Sequence, residues 1–571
     1  MAAMAVAVMG LMLGSVRIQA AQADPAALRN WQELRFGMFI HWGPVALTGH
    51  EIGWSRGSQT PVEVYDNLYK QFNPTEFDAD AWAQVAQEAG MRYVVLTTKH
   101  HDGFCLWDSA ATDYDIMATP FGCDVVKELS QACRRHGLEF GTYYSVCDWH
   151  HPAFPLGSPG GRSKKSNPDL AAYDAYLQQQ VTELVTNYGP LLTMWFDVPQ
   201  VYGEDLGVPM VDKLRALQPN IVINNRAYSK DGEGSGLSHQ LPVGDYDTPE
   251  QRVGAFSRDR PWETCMTICQ QWAWKPDDTM KSLKDCVQIL LHTIGGDGNL
   301  LLNVGPMPDG RIEPRQVERL REMGEWVKKH QQGIYGTRGG PFKPGQWGAS
   351  TCIENRIYLF ITKWPSEGSL RLPAVPATVK AAVVQSGGTV TINQTLNAIE
   401  VDVPQDDRDA IATVIELTID GDAFEIKPVD VPPYKSHSVA YGKGATASNV
   451  YHNSGQYAAG MAFDDDPETR WATDSGTTDA WLEVDLAEEA TVNRALIDER
   501  DWNRVRKFEL QYKVDSRWET ACVGTTIGTD KELNFDPAMS RYFRLHVLEG
   551  EAPTIWEVQL FEARSSASNK E

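Results

Sequence analysis

Basic residues are in short supply in this 571-residue chain: 52 Lys and Arg stand against 76 Asp and Glu, for a formal net charge of -24. That balance argues against nucleic acid, whose phosphates need cationic neutralisation, and against anionic membrane surfaces. Cysteine is sparse and unpatterned. Nine are present, an odd number, and none forms a CxxC pair, so neither a disulfide framework nor a zinc site is indicated. No GxGxxG or GxxxxGK[ST] follows a strand-like run, which counts against a nucleotide fold. Long apolar runs are also lacking, save one. Ala2 to Val16 carries no charge, is short for a membrane span, and is followed by Ala21-Gln22-Ala23 before Asp24. Residues 1–23 read as a signal peptide without its basic n-region. The expectation is a secreted or periplasmic protein with no membrane insertion.

Aromatics are plentiful, with 18 Trp and 20 Tyr, and suit the flat apolar faces of sugars. The length calls for two to four domains. From about Leu34 to His330, strand-like and helix-like stretches alternate. Strands are expected near Arg35–Trp42, Tyr93–His100, Leu138–Ser145, Leu191–Asp197, Asn220–Asn225, Trp262–Ile268 and Asn299–Val304. Helices are expected at Asp78–Ala89, Val125–Arg135, Ala171–Asn187, Pro209–Leu217, Lys281–His292 and Pro314–His330. Seven or eight parallel strands over about 300 residues favour a (β/α)8-like TIM barrel over an open doubly wound sheet. After about Gly336 the runs shorten and no helical period persists, which reads as an antiparallel β-sandwich over 336–435. A further β-rich module follows over 436–563, and 564–571 reads as a disordered tail.

Polar and aromatic residues gather at the predicted strand ends: His41-Trp42, Lys99-His100-His101-Asp102, Tyr143-Tyr144 with Asp148-Trp149 following, Trp195 with Asp197, and Asn224-Asn225-Arg226. In a barrel these ends face the active site. Asp197 alone could equally cap the next turn; the company it keeps favours a functional reading. A metal hydrolase would draw on His41, His100, His101 and Asp197. HxH and HExxH spacings are absent, however, and adjacent histidines on a strand point to opposite faces. Neutral histidines can instead bond sugar hydroxyls. Glycosidic cleavage needs two carboxyl groups. Asp197 is one, and Glu250, Glu263 and Glu51 are candidates for the other.

The stretches Phe36 to Gly43, Lys99 to Phe104, Tyr143-Tyr144-Ser145, Trp195-Phe196-Asp197, Trp262 to Thr267 and Gly298 to Pro306 resemble those of the α-L-fucosidases of glycoside hydrolase family 29. The resemblance implies a retaining exo-acting enzyme that works through a fucosyl-enzyme ester without a catalytic cofactor. By it, Asp197 is the nucleophile. Glu250, in Thr248-Pro249-Glu250-Gln251, is the preferred acid/base over Glu263. That stretch looks like the subgroup acting on α-1,3- and α-1,4-linked fucose in branched, Lewis-type glycans. Sugar contacts carry over to His41, His100, His101, Tyr144, Trp195 and Arg226, with Glu51 or Trp54 joining them and Glu263 as a further contact. The partners implied are fucosylated oligosaccharides and glycoconjugates; the oligomeric state stays open. Two rivals remain: a broad or α-1,2-acting fucosidase, and a lectin-like protein that holds fucose without turnover.

The last module resembles a discoidin-type, family 32-like carbohydrate-binding module. Its acidic loop, Ala462 to Trp471, resembles that fold's calcium site. The implied ligands are the backbone oxygen of Ala462 with Asp464, Asp466, Thr469 and the distant Glu557, hard oxygen donors of the kind calcium takes. Without the resemblance, the loop is simply a solvated acidic turn.

Overall fold

The computed structural model describes residues 20–158, 163–229, 243–365, 369–433, 438–466 and 468–562. Most of the expected leader and the expected C-terminal tail lie outside these residues. Two compact units are present: one of residues 1–362 and 372–431, the other of 363–371 and 432–571. Among the described residues no helix is long and apolar enough to cross a membrane.

The first unit is built on a parallel sheet of seven strands: β1 (Phe36–Ile40), β2 (Tyr93–Lys99), β3 (Glu139–Ser145), β4 (Thr193–Asp197), β5 (Val222–Ile223), β6 (Glu263–Thr267) and β7 (Asn299–Val304). Their spatial order is β5-β4-β3-β2-β1-β7-β6. The gap between β5 and β6 is bridged by an extended segment, residues 245–250. It makes backbone hydrogen bonds on both sides: the Asp245 N–H donates to Ile223 O at 2.7 Å, and it accepts from the Glu263 and Cys265 N–H groups at Asp247 O and Pro249 O, 2.8 and 3.1 Å. This is the eighth stave of the barrel, too irregular to form a ladder and anchored at its start by a buried Arg215–Asp245 ion pair at 2.6 Å.

The strands are buried on both faces, as the near-continuous apolar runs require. Period-two alternation sorts their side chains into two layers. Phe39, Tyr93, Val95, Tyr143, Trp195, Cys265 and Leu301 fill the barrel interior. Met38, Val94, Leu96, Tyr144, Met194 and Phe196 face the surrounding helices. These are α1 (Pro25–Leu34), a single turn α2 (Val62–Tyr65), α3 (Ala79–Glu88), α4 (Val125–Arg135), α5 (Leu170–Asn187), α6 (Glu204–Leu217), α7 (Leu283–Gly295) and α8 (Pro314–His330). Asp78, Asp124 and Asp169 cap α3, α4 and α5 through backbone N–H groups of the first turn. Ser282 and Asp285 form a reciprocal capping box on α7, which stops two orphan donors from going unpaired. Helix α6 begins five residues before the expected Pro209, which lies inside it. Acidic Glu204 and Asp205 in its first turn favour the earlier start. Helix α1 was not expected. Asp24 accepts two of its N–H groups, and its Trp31 plugs the barrel floor against Tyr246 at 4.3 Å.

Beyond α8 an antiparallel sheet runs in the order Val379–Val384, Thr413–Ile419, Arg356–Ile361, Gly348–Ile353, Arg338–Gly339. A hairpin of Thr391–Gln394 and Ala398–Asp402 accompanies it. The second unit is also all-β. Its central strand, Ala480–Asp498, pairs with Lys531–Gly550, Gly444–Ala447 and Glu557–Glu562 around a core that includes Trp471, Leu482, Phe508, Phe543 and Leu560.

Candidate active site

Asp197 closes β4 at the carboxyl-terminal mouth of the barrel. Its Oδ2 accepts from the Tyr143 hydroxyl at 2.8 Å and its Oδ1 from Arg226 Nη1 at 2.8 Å. Burial alone would raise this carboxyl. The Arg226 charge and the hydrogen bonds from Arg226 and Tyr143 outweigh it and hold the group below the usual carboxylate range. It is therefore an ionised, oriented carboxylate, chemically able to act as an oxygen nucleophile.

The same Nη1 of Arg226 lies 3.0 Å from Glu250 Oε2. Asp197 Oδ1 and Glu250 Oε2 thus cannot be more than about 5.8 Å apart, the sum of the two contacts. Arg226 is itself fixed. Its Nε and Nη2 donate to Thr248 Oγ1 and Thr248 O, each at 2.8 Å, and its guanidinium lies 4.8 Å from the Trp195 ring centre. Glu250 rides on the eighth stave and keeps 29% of its side chain exposed, whereas Asp197 keeps 13%.

Three histidines line the mouth beside the carboxylates. Strand β2 ends at Lys99, so His100 and His101 sit in a turn and are not forced to opposite faces; their rings are 4.0 Å apart. His100 is stacked on Tyr143, with ring centres 5.5 Å apart and planes within 8°. His41 bonds Asn303 Oδ1 at 2.6 Å, and His101 bonds Ser145 Oγ at 2.7 Å. Burial depresses all three: His41 to about 3, His101 to about 4, and His100 well below its ordinary value. They are neutral rings, so the 3.7 Å approach of His101 to Asp197 is not an ion pair. Among the described residues no set of three or more His, Cys, Asp or Glu is arranged to hold a metal.

Aromatic walls complete the mouth. Trp54 is 45% exposed, with its ring 5.4 Å from His101 and 5.3 Å from Trp149. Trp272 packs 4.7 Å from His41. Its loop is clamped by the Glu51 carboxylate, which accepts the N–H groups of Trp272 and Ala273 at 2.8 and 3.0 Å.

Three expected sugar contacts sit elsewhere. Tyr144 points outward, since successive strand residues alternate. Its hydroxyl donates to Gln180 on α5 at 2.8 Å, and Tyr143 takes the inward place. Glu263 opens β6 at the far end from the mouth. It is fully buried and accepts from Tyr93 at 2.6 Å and from the Trp195 indole at 3.0 Å. It braces Trp195 from below, and burial pushes its carboxyl up to about 7. Glu51 spends both oxygens on backbone N–H groups, which leaves Trp54 as the residue of that loop open to a ligand. Sequence reading also missed Asn303, Ser145 and Trp272 as site residues. The first two lie inside the motif stretches, but only the packed structure shows what they touch.

In the second unit the acidic loop lies beside Glu557, but its carboxylates are not among any set of three arranged to hold a metal in the described residues. Thr469 Oγ1 donates to Asp464 at 2.8 Å, and the Asp465 N–H donates to Glu557 Oε2 at 3.0 Å. Burial first, and then Asp465 and Asp464, push the Glu557 carboxyl up to about 9.

Comparison with known proteins gives the arrangement its relatives. The family model described as alpha-L-fucosidase matches residues 14–332, and that of the F5/8 type C domain matches residues 444–558. The plasma alpha-L-fucosidase of Homo sapiens is 31% identical over 67% of this chain and 87% of its own length. Alpha-L-fucosidase isoenzyme 1 from Paenibacillus thiaminolyticus is 34% identical with a TM-score of 0.63, over 69% of this chain and 99% of that one. A similar enzyme from Bacteroides thetaiotaomicron, solved as a covalent intermediate trapped with 2-fluoro-fucosyl fluoride, is 27% identical with a TM-score of 0.63, over 70% of this chain and 98% of its own.

Proposed function

Because the chain belongs to the alpha-L-fucosidase family of glycoside hydrolases and ends in an F5/8 type C domain, we propose that it releases terminal L-fucose by double displacement, with Asp197 as nucleophile and Glu250 as acid/base. The observation that carries this reading is the single Arg226 nitrogen shared by Asp197 and Glu250. Carboxyl groups about 5–5.5 Å apart accompany retention, whereas inverting enzymes separate theirs by about 6.5–9.5 Å. The span of at most about 5.8 Å between the two oxygens falls on the retaining side.

In the first step an Asp197 oxygen attacks the anomeric carbon. The bond to the leaving oxygen breaks, and Glu250 gives that oxygen its proton. In the second step Glu250 takes a proton from water, the water oxygen attacks the same carbon, and the ester opens to return Asp197. Neutral His41, His100 and His101 bond the sugar hydroxyls, while Trp54 and Trp272 pack on its apolar faces. We assign α-1,3/1,4-linked fucose of branched glycans as the substrate, on the strength of Thr248-Pro249-Glu250-Gln251, and export on the strength of the leader-like first 23 residues.

For the terminal domain we propose a structural calcium held by Ala462 O, Asp464, Asp466, Thr469 and Glu557. A partly buried Glu557 pressed against Asp464 and Asp465 suits a cation, whose charge would relieve their mutual repulsion.

A mechanism-based fluoro-fucoside followed by peptide mass spectrometry tests the core assignment: the label is expected on Asp197, and a label on any other side chain overturns it. Fucose release from a Lewis trisaccharide against an α-1,2-linked trisaccharide tests the linkage; faster release from the latter reverses that assignment.

A further inference from the structure

His41 and His101 each turn Nδ1 toward the protein and leave Nε2 for a ligand. The partners of Nδ1 decide where the ring proton sits. Asn303 Nδ2 donates to the backbone carbonyl of Trp272 at 2.8 Å. A carbonyl only accepts, so the amide nitrogen must face Trp272 and the amide oxygen must face His41. That oxygen cannot donate, so across the 2.6 Å contact the proton belongs to His41 Nδ1. Ser145 gives the same result by a different route. Its one hydroxyl proton goes to the Cys147 carbonyl at 2.7 Å, which leaves only a lone pair for His101. Across that 2.7 Å contact Nδ1 again carries the proton. Both rings are buried and neutral, so each Nε2 is a bare acceptor. His101 Nε2 then stands 3.7 Å from Asp197 Oδ2, too far for a hydrogen bond and with an acceptor on either side. His100 has no such tether, since its Nδ1 finds no hydrogen-bond partner among the described residues.

We propose that Asn303 and Ser145 are positioning residues that lock His41 and His101 in the Nδ1–H tautomer, so that both histidines recognise sugar hydroxyls strictly as hydrogen-bond donors. The lock depends on two backbone carbonyls, Trp272 O and Cys147 O, which cannot reverse their role as side chains can. Asn303 does double duty: the same amide that fixes the His41 proton also holds the Trp272 loop. The identity of the ligand rests on the α-L-fucosidase reading; the proton positions do not.

The test is a long-range proton–nitrogen NMR correlation on the full chain labelled with 15N-histidine, with ring signals assigned through H41Q and H101Q. The expected pattern in the unaltered protein is a protonated Nδ1 and a bare Nε2 in both rings. An Nε2–H signal from either ring overturns the lock for that residue. In Asn303→Leu the His41 pattern should relax to a mixture while His101 keeps its own, and in Ser145→Ala the reverse should hold. Each variant should lower kcat/KM on an aryl α-L-fucoside roughly 10- to 100-fold, the scale of a buried hydrogen bond lost and its partner misaligned. Locked tautomers with unchanged kcat/KM in both variants would overturn their part in recognition. Locked tautomers in a protein that turns over no fucoside at all would strike the functional reading and leave the lock standing.

Discussion

Arg226 and Asp197 form a buried ion pair, Nη1 to Oδ1 at 2.8 Å, and that pair favours the ionised carboxylate in a site whose burial pushes the other way. Asp197→Ala should therefore lower turnover of an aryl fucoside by at least about a thousandfold, because the proposed attacking oxygen is removed. Azide, small enough to enter the space left by the carboxylate, should restore part of the rate and yield a fucosyl azide. Turnover close to that of the unaltered enzyme in this variant would remove Asp197 from the nucleophile's role.

Glu250 should behave differently. An acid is needed only when the leaving group is poor, so Glu250→Ala should cost about 10²- to 10⁴-fold on a natural glycan and much less on a fucoside of an acidic phenol. Equal losses on both substrates would mean that another group protonates the leaving oxygen. Glu263 is not a ready replacement, being sealed beneath Trp195.

Much of this architecture was legible in the chain. Val125–Arg135, Asn299–Val304 and Pro314–His330 fall where apolar periodicity and capping residues put them, because capping and burial act over a few residues and leave a local mark. The eighth stave left none. Residues 245–250 carry Asp, Pro and Glu instead of an apolar run, and their extended shape comes from β5 and β6 on either side. The site was legible as a set of strand ends but not always to the residue. Tyr143 and Tyr144 are chemically alike, and only the phase of β3 against the barrel axis decides which faces the barrel interior. Glu263 read as a site carboxylate because it falls inside a motif stretch; its place at the amino end of β6 puts it on the floor. Asn303 and Trp272 meet His41 only through tertiary packing, which no local pattern announces.

The two tyrosines give a paired test of that phase. Tyr143→Phe removes the hydroxyl donated to Asp197 and should lower kcat about tenfold or more, with little change in melting temperature. Tyr144→Phe removes a bond to Gln180 outside the barrel. It should leave kcat within about twofold and reduce stability by about 1 kcal/mol, read from urea unfolding. The opposite pattern would mean that β3 is out of phase with the arrangement described.

Glu263→Ala should leave both the Trp195 indole and the Tyr93 hydroxyl without an acceptor in a sealed core. Each orphaned group costs about 1–3 kcal/mol, and the released indole also supports Arg226. A fall in stability together with a raised KM is expected, whereas a lost acid would depress kcat on natural glycans only. Thermal melting and steady-state kinetics on two fucosides of different leaving-group acidity separate the outcomes.

The acidic loop of the terminal domain sets a pH-dependent stability that calcium should erase. In the folded state Glu557 titrates at about 9, against an ordinary 4.5. Folding therefore favours the protonated acid, and the stability this group contributes is fully present below about pH 4.5 and is lost as pH rises toward 9. In a chelator, melting of the terminal domain should accordingly move to lower temperature between about pH 5 and 9. A bound cation stabilises the ionised carboxylate in the fold and should flatten that slope, adding about 2.7 kcal/mol at a hundredfold excess over Kd. Calorimetry with and without calcium, repeated on Glu557→Gln, reads the effect directly. The variant should lose both the slope and the calcium response, whereas a calcium response surviving in Glu557→Gln would place the ion elsewhere.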